Sequence, residues 1–292
     1  MLKLKGVYSA LVTPFNKNGA DVDYGALRAL IQWQIAEGVA GVSPVGTTGE
    51  SPTLNEHDHL EVIKATVEAV NGKVQIIAGT GANATEEALR LTREIMGLGV
   101  DATLQVTPYY NKPNAEGLYR HFSAVADLGI PVVLYNVPGR SAKEIPLSVV
   151  ERLAKHPHIV AIKEAAGSVD RVSAIKHVCP DLTVLSGDDS LTLPMISVGA
   201  EGVISVCSNL IPRAMSELVN FALAGDFSSA RKLHAKYYGL FRDMFCDTNP
   251  IPVKAALAMM GKIEQAYRLP LCEPDSECLK KIQTCLQSLN LI

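Results

Sequence analysis

Lys163 lies in the run Ile159-Val160-Ala161-Ile162-Lys163-Glu164-Ala165-Ala166-Gly167, which opens with the apolar, β-branched residues of a parallel strand covered on both faces. Such a strand should contain no lysine. By period-2 alternation Lys163 shares a face with Ile159, Ala161 and Ala165, and the two alanines leave room beside it for a ligand. A strand-end lysine that snorkels to water or pairs with a carboxylate is the plain reading. The chemical reading is a desolvated amine that attacks a carbonyl to form a Schiff base. At an ordinary lysine pKa of ~10.4 only about one amine in 2,500 is neutral at pH 7; a value near ~7 frees half, a change of roughly 4–5 kcal/mol that burial can supply.

Other residues at apolar-run ends could serve that amine. The turn Gly46-Thr47-Thr48-Gly49-Glu50-Ser51 offers backbone N–H groups and two hydroxyls to a carboxylate, or is only a helix start. Tyr135 is either a packed core aromatic or a phenol that moves protons during carbinolamine formation and dehydration. Arg140, just after it, is a surface charge or a forked partner for a second carboxylate. Tyr109-Tyr110 could line a site or a subunit contact. Asp188-Asp189 reads as a helix cap rather than a metal or glycosidase pair. His57 and His59, two apart on a helix, point away from each other and make no metal pair; no metal and no cofactor is indicated.

The positioning elements follow from the same periodicities. Apolar runs predict strands at Val7–Phe15, Val39–Val45, Val74–Gly79, Ala102–Thr107, Pro131–Tyr135, Ile159 onward, Leu182–Leu185 and Gly202–Val206. Helical patterns alternate with them: Tyr24–Glu37, Leu54 to about Val70, a helix capped within Thr80–Thr85 with Glu86 and Glu87 in its first turn, Glu116–Asp127, Leu147–Lys155, and one capped by Ser168. Eight such repeats predict an α/β fold, a (β/α)8 TIM barrel. A doubly wound sheet is the rival, but no Gly-x-Gly-x-x-Gly turn follows the first strand. Residues 1–212 form the barrel through strand eight, and 213–292 the last barrel helix and a C-terminal helical appendix. The polar residues then gather in one ring of loops, where barrels carry their chemistry.

The chain has 292 residues, 48% hydrophobic and 20% charged, enough for a large core and too apolar for disorder. Its net charge of −3, without a block of like charges, argues against a nucleic-acid or anionic-lipid surface. The amino terminus lacks a signal-peptide core and no stretch has the length of a membrane span, so a cytosolic protein is expected. The six cysteines, without a C-x-x-C pair, are expected to be reduced and mostly buried.

Taken together, GTTGES (46–51), TPYYNKP (107–113), YNVPGR (135–140), IKEA (162–165), SGDD (186–189), GVISV-x-SN (202–209) and NPIPVK (249–254) resemble the dihydrodipicolinate synthase family, now called 4-hydroxy-tetrahydrodipicolinate synthases. These belong with the pyruvate-dependent Schiff-base aldolases that include N-acetylneuraminate lyase. The resemblance implies that Lys163 condenses with pyruvate, held by Thr48, Gly187 and the backbone around Ile204. It makes Tyr135 the proton donor and acceptor, with Thr47 and Tyr110 completing a relay and Tyr110 reaching across a tight dimer. It gives Arg140 the carboxylate of aspartate 4-semialdehyde, and it places the reaction in lysine and diaminopimelate biosynthesis, in a homotetramer built as a dimer of dimers.

A feedback site for L-lysine at the tight-dimer interface maps by the same resemblance onto Ser51, Pro52, Glu56, His59, Asn83, Glu87 and Tyr109. Pro52 and Glu56 depart from the usual Ala and His, so weakened inhibition is expected. Two other functions stay open: a related lyase cleaving a sialic acid or sugar acid to pyruvate, and a catalytically silent barrel serving as a sensor. The pair Tyr110 and Arg140 suits a small acidic aldehyde better than a polyhydroxylated chain.

Overall fold

A computed structural model describes residues 2–292. Eight parallel strands close into a barrel in sequence order: β1 (Gly6–Ala10), β2 (Gly41–Ser43), β3 (Gln75–Gly79), β4 (Ala102–Val106), β5 (Val132–Asn136), β6 (Ile159–Glu164), β7 (Thr183–Ser186) and β8 (Gly202–Ser205). Strand β8 returns to β1 through the register Tyr8 to Ile204. Helices α1 (Tyr24–Ala36), α2 (Glu56–Val70), α3 (Thr85–Ile95), α4 (Ala115–Ala126), the short α5 (Pro138–Ser141), α6 (Leu147–Leu153), α7 (Val169–Val178), α8 (Thr192–Ser197) and α9 (Pro212–Leu223) cover the outside. Beyond them α10 (Phe227–Asp243), α11 (Ile251–Met259) and α12 (Ser276–Ser288) form the C-terminal helices.

The expected (β/α)8 barrel is therefore the fold, with strands shorter than the apolar runs. Leu11, Val12 and Phe15 stay buried after leaving the ladder, because the chain runs on beneath α1 and the C-terminal segments rather than into solvent. Apolarity marks burial, and a barrel strand is only the paired part of it. Side chains divide by strand alternation: Tyr8, Ile77, Leu104, Val133, Ala161, Leu185 and Ile204 fill the interior, while a larger cluster lies between strands and helices. A Leu or Ile so buried contributes about 1.5–3 kcal/mol.

Three local expectations are corrected. The β5–β6 register shifts between Val132 and Val133, which pair with Ile159 and Ala161. This bulge turns Ile159 outward, so Lys163 shares its face with Ala161 and Ala165 but not with Ile159. No side chain of Thr80–Thr85 caps α3: Ala84 stands at the cap without a side-chain bond, and the Thr85 hydroxyl lies 2.9 Å from His121 Nδ1 on α4. Ser168 does cap α7, accepting from the Arg171 N–H. Finally, Cys246 and Cys278 are joined as a disulfide, because the turn after α10 and the first turn of α12 bring their Cα atoms to 6.2 Å. Cys179, Cys207 and Cys285 are free and buried, and Cys272 is free and exposed.

Candidate active site

The register of β5, β6 and β7 sets Tyr135 beside Lys163, and Lys163 beside Leu185. Both side chains turn into the barrel at its carboxyl end and both are 6% exposed. Lys163 Nζ lies 4.2 Å from the centre of the Tyr135 ring. An amine and a phenol thus share one desolvated space, which is what proton exchange during imine chemistry requires.

The room for Lys163 comes from its neighbours. A Cβ on Gly187, in the turn after β7, would stand 2.6 Å from Ala165 Cβ and 3.1 Å from Lys163 Cε. Gly187 therefore lets the lysine stem pass, a packing role, and its N–H donates to the Glu164 carbonyl at 2.8 Å. Ile204, on β8, is buried in the interior wall.

Thr47, Tyr135 and Arg140 line one cavity of about 200 Å3 with Gly46, Leu104 and Val137. Thr48 is buried behind Thr47, and its Oγ1 accepts from Asn249 Nδ2 at 3.0 Å. Arg140 Nη2 donates to the Asn249 carbonyl at 2.9 Å, so one residue from beyond α10 links the threonine turn to the arginine. Asn249 is a site residue that the sequence reading missed. Its NPIPVK motif was visible, but its partners lie 201 and 109 positions away.

Tyr110 is not brought to this cavity. It sits at a backbone φ of 73° and is 90% exposed. The mapped lysine-pocket residues divide between the mouth and its surroundings. Ser51, Pro52 and Tyr109 line the cavity itself, Asn83 Nδ2 donates to the Tyr109 carbonyl at 3.2 Å, and burial, then the Glu87 carboxylate, pushes the Tyr109 phenol up. His59 is turned inward: its Nε2 lies 2.8 Å from the Gly79 carbonyl, and burial pulls its pKa down. Glu56 pairs with Arg90.

The aspartates resolve into two structural roles. The expected cap is not formed: Leu191 stands at the cap of α8 without a side-chain bond, and Asp188 Oδ1 instead accepts from the Ser190 and Leu191 N–H groups at 2.9 and 3.2 Å in the turn before the helix. Asp189 is buried and accepts from Val206 N and Cys207 N at 3.1 and 2.9 Å, together with the Ser205 hydroxyl. It therefore holds the turn immediately after Ile204. Asn209 completes that turn, donating to the Ala10 carbonyl at 2.7 Å across the seam where the barrel closes. His57 is exposed while His59 is buried, so the two diverge as expected.

An eight-stranded barrel that sets an amine, a phenol and a hydroxyl-bearing turn around the carboxyl ends of its strands has the make-up of a barrel enzyme of carbonyl chemistry. Residues 3–289 match the model of the dihydrodipicolinate synthetase family. The chain belongs to that family. It is 51% identical over 290 residues to 4-hydroxy-tetrahydrodipicolinate synthase of Thermodesulfovibrio yellowstonii, covering 99% of both chains. The dihydrodipicolinate synthase of Acinetobacter baumannii complexed with pyruvate superimposes with a TM-score of 0.97 at 42% identity, covering 99% of this chain and 100% of that one. The enzyme of Cyanidioschyzon merolae with lysine bound gives a TM-score of 0.96 at 38% identity, covering 99% of each.

Proposed function

We propose that the chain condenses pyruvate with L-aspartate 4-semialdehyde to 4-hydroxy-tetrahydrodipicolinate, in lysine and diaminopimelate biosynthesis, through a Schiff base on Lys163. The observation that carries this is the buried Lys163 packed against Tyr135 on adjacent strands. The Lys163 amine adds to the pyruvate ketone, and loss of water gives the imine. Loss of a methyl proton gives the enamine, whose terminal carbon attacks the aldehyde. The amine of the second substrate then adds to the imine carbon and displaces Lys163, closing the ring and freeing the enzyme.

Tyr135 passes protons to and from the carbinolamine oxygen, with Thr47 beside it in the cavity. Thr48 and the backbone at Ile204 hold the pyruvate carboxylate; Arg140, at the cavity rim, takes that of the semialdehyde. Tyr110, exposed at the tip of the β4–α4 loop, completes the relay in a neighbouring subunit of a tight dimer, and two dimers pair into a tetramer. No metal or cofactor takes part. Lysine inhibits from the flank lined by Ser51, Pro52 and Tyr109; the Arg90 partner of Glu56 weakens its hold, so initial rates fall only at millimolar lysine, and rates indifferent to lysine there would remove this site.

The direct test is borohydride reduction with pyruvate, followed by mass spectrometry of the peptide carrying Lys163. The wild type gains one reduced pyruvate on that residue, while Lys163→Ala gains none, loses turnover and keeps its fold. A well-folded Lys163→Ala enzyme that still turns over would overturn the Schiff-base role. Trapping without turnover of the semialdehyde would shift the second substrate to a sugar acid.

A further inference from the structure

Two carboxyl-terminal side chains grip the threonine turn, and only one of them touches a residue already given a role. Lys254, on α11, is fully buried and pairs with the equally buried Glu50, 204 positions away. Its Nζ also lies 4.1 Å over the Phe15 ring and 5.3 Å from that of Tyr267, so aromatic faces enclose the ammonium where it meets the carboxylate. The second Glu50 oxygen accepts from the Arg268 N–H at 3.4 Å. Burial pulls the Lys254 ammonium down from the ordinary lysine range, and Glu50 opposes that pull.

Glu50 is a costly residue to hold in place. It adopts a left-handed backbone at φ 56°, which a non-glycine side chain disfavours. Its N–H donates to the Thr47 carbonyl at 3.1 Å, and the preceding Gly49 carbonyl accepts from the Thr13 hydroxyl at 2.7 Å. A Cβ on Gly49 would meet the Val45 backbone at 2.9 Å, so the turn is packed against its own strand end. Any relaxation of Glu50 rotates the peptide that leads back to Thr48 and Thr47.

We propose that Lys254 is a positioning residue for the reaction, its buried ion pair with Glu50 fixing the Gly46–Glu50 turn that presents Thr47 and Thr48 to the keto acid. This rests on the reading of that turn as the pyruvate site. The C-terminal segment thereby acts on the first half-reaction: Asn249 and Lys254, close together in the chain, hold Thr48 and Glu50. Lys254 touches neither Lys163 nor Tyr135, so removing its ammonium loosens the threonine turn and, through Thr48, the carboxylate grip first. The signature is an effect on one substrate.

The test compares wild type, Lys254→Met, and the double variant Lys254→Met with Glu50→Gln, which leaves no unpaired buried charge. Each is measured for thermal unfolding, for the rate of borohydride trapping with pyruvate, and for KM of both substrates. The expected result is a rise of about tenfold or more in pyruvate KM and a matching slowing of trapping, in both variants, with semialdehyde KM within about twofold of wild type. The double variant recovers thermal stability but not pyruvate KM. Wild-type pyruvate KM and trapping in a folded variant, or equal loss on both substrates, overturns the proposal. If Lys254→Met does not fold, the double variant decides alone. Failure of the wild type itself to trap pyruvate is a separate result, which removes the Schiff-base reading and this proposal with it.

Discussion

Gly187 shows how little space separates a working lysine from a blocked one. A methyl group there would sit 3.1 Å from Lys163 Cε and 2.6 Å from Ala165 Cβ, closer than side chains pack. The lysine stem is the freer of the two neighbours, so it moves. Displacement of a reacting group by about 1 Å costs on the order of a hundredfold in rate. We expect Gly187→Ala to lower kcat/KM by about that factor, with a modest drop in thermal stability and slower borohydride trapping. An unchanged kcat/KM would mean that Lys163 does not need the passage Gly187 leaves. Lys163 was legible in the sequence because a charged residue in an apolar run is rare. Gly187 was also marked, as a substrate contact carried over from the family, and the geometry adds the clearance of the lysine.

At the scale of elements, the contact between α3 and α4 carries a pH dependence of its own. His121 is buried on α4, with Nδ1 2.9 Å from the Thr85 hydroxyl, and burial pushes its imidazole down to about 4. Between about 4 and the ordinary 6.5 the native chain binds fewer protons than the unfolded one. Stability is fully present above 6.5 and is lost as pH falls through that window, by at most about 3 kcal/mol for this group. His59, also pulled down by burial, adds in the same direction. Glu164 and Asp189, pushed up by burial, bind more protons when native and oppose it, their stability falling as pH rises through their own windows. The isolating measurement is urea unfolding of wild type against His121→Gln at fixed protein concentration from pH 7 to pH 4, where the wild type should lose more stability. Parallel curves would show that His121 titrates alike in both states. Element order and type were legible because the 3.6- and 2-residue periods are local. The bulge beside Ile159, the Thr85 contact, the Cys246–Cys278 link and the Lys254–Glu50 pair were not, because each depends on a partner that only the folded chain supplies.

The whole molecule leaves one proposed catalytic group outside its own site. Tyr110 is 90% exposed at a left-handed backbone position while Thr47 and Tyr135 stay in the cavity, so a single chain holds two members of the relay. A second copy related by twofold symmetry would supply the third, because a two-fold contact presents the same loop from each side. On that proposal a site takes the lysine of one chain and the tyrosine of its neighbour, which separates Lys163 and Tyr110 genetically. Lys163→Ala and Tyr110→Phe should each be severely impaired alone. Unfolded and refolded together in equal amounts, they should form mixed dimers in about half of cases, each with one site of two intact, and recover roughly a quarter of wild-type activity. Mixing without exchange of subunits should recover nothing. Recovery absent after demonstrated exchange would place Tyr110 outside the neighbouring site, and Tyr110→Phe with wild-type kcat would remove it from the relay, leaving Thr47 and Tyr135 to move the protons within one chain.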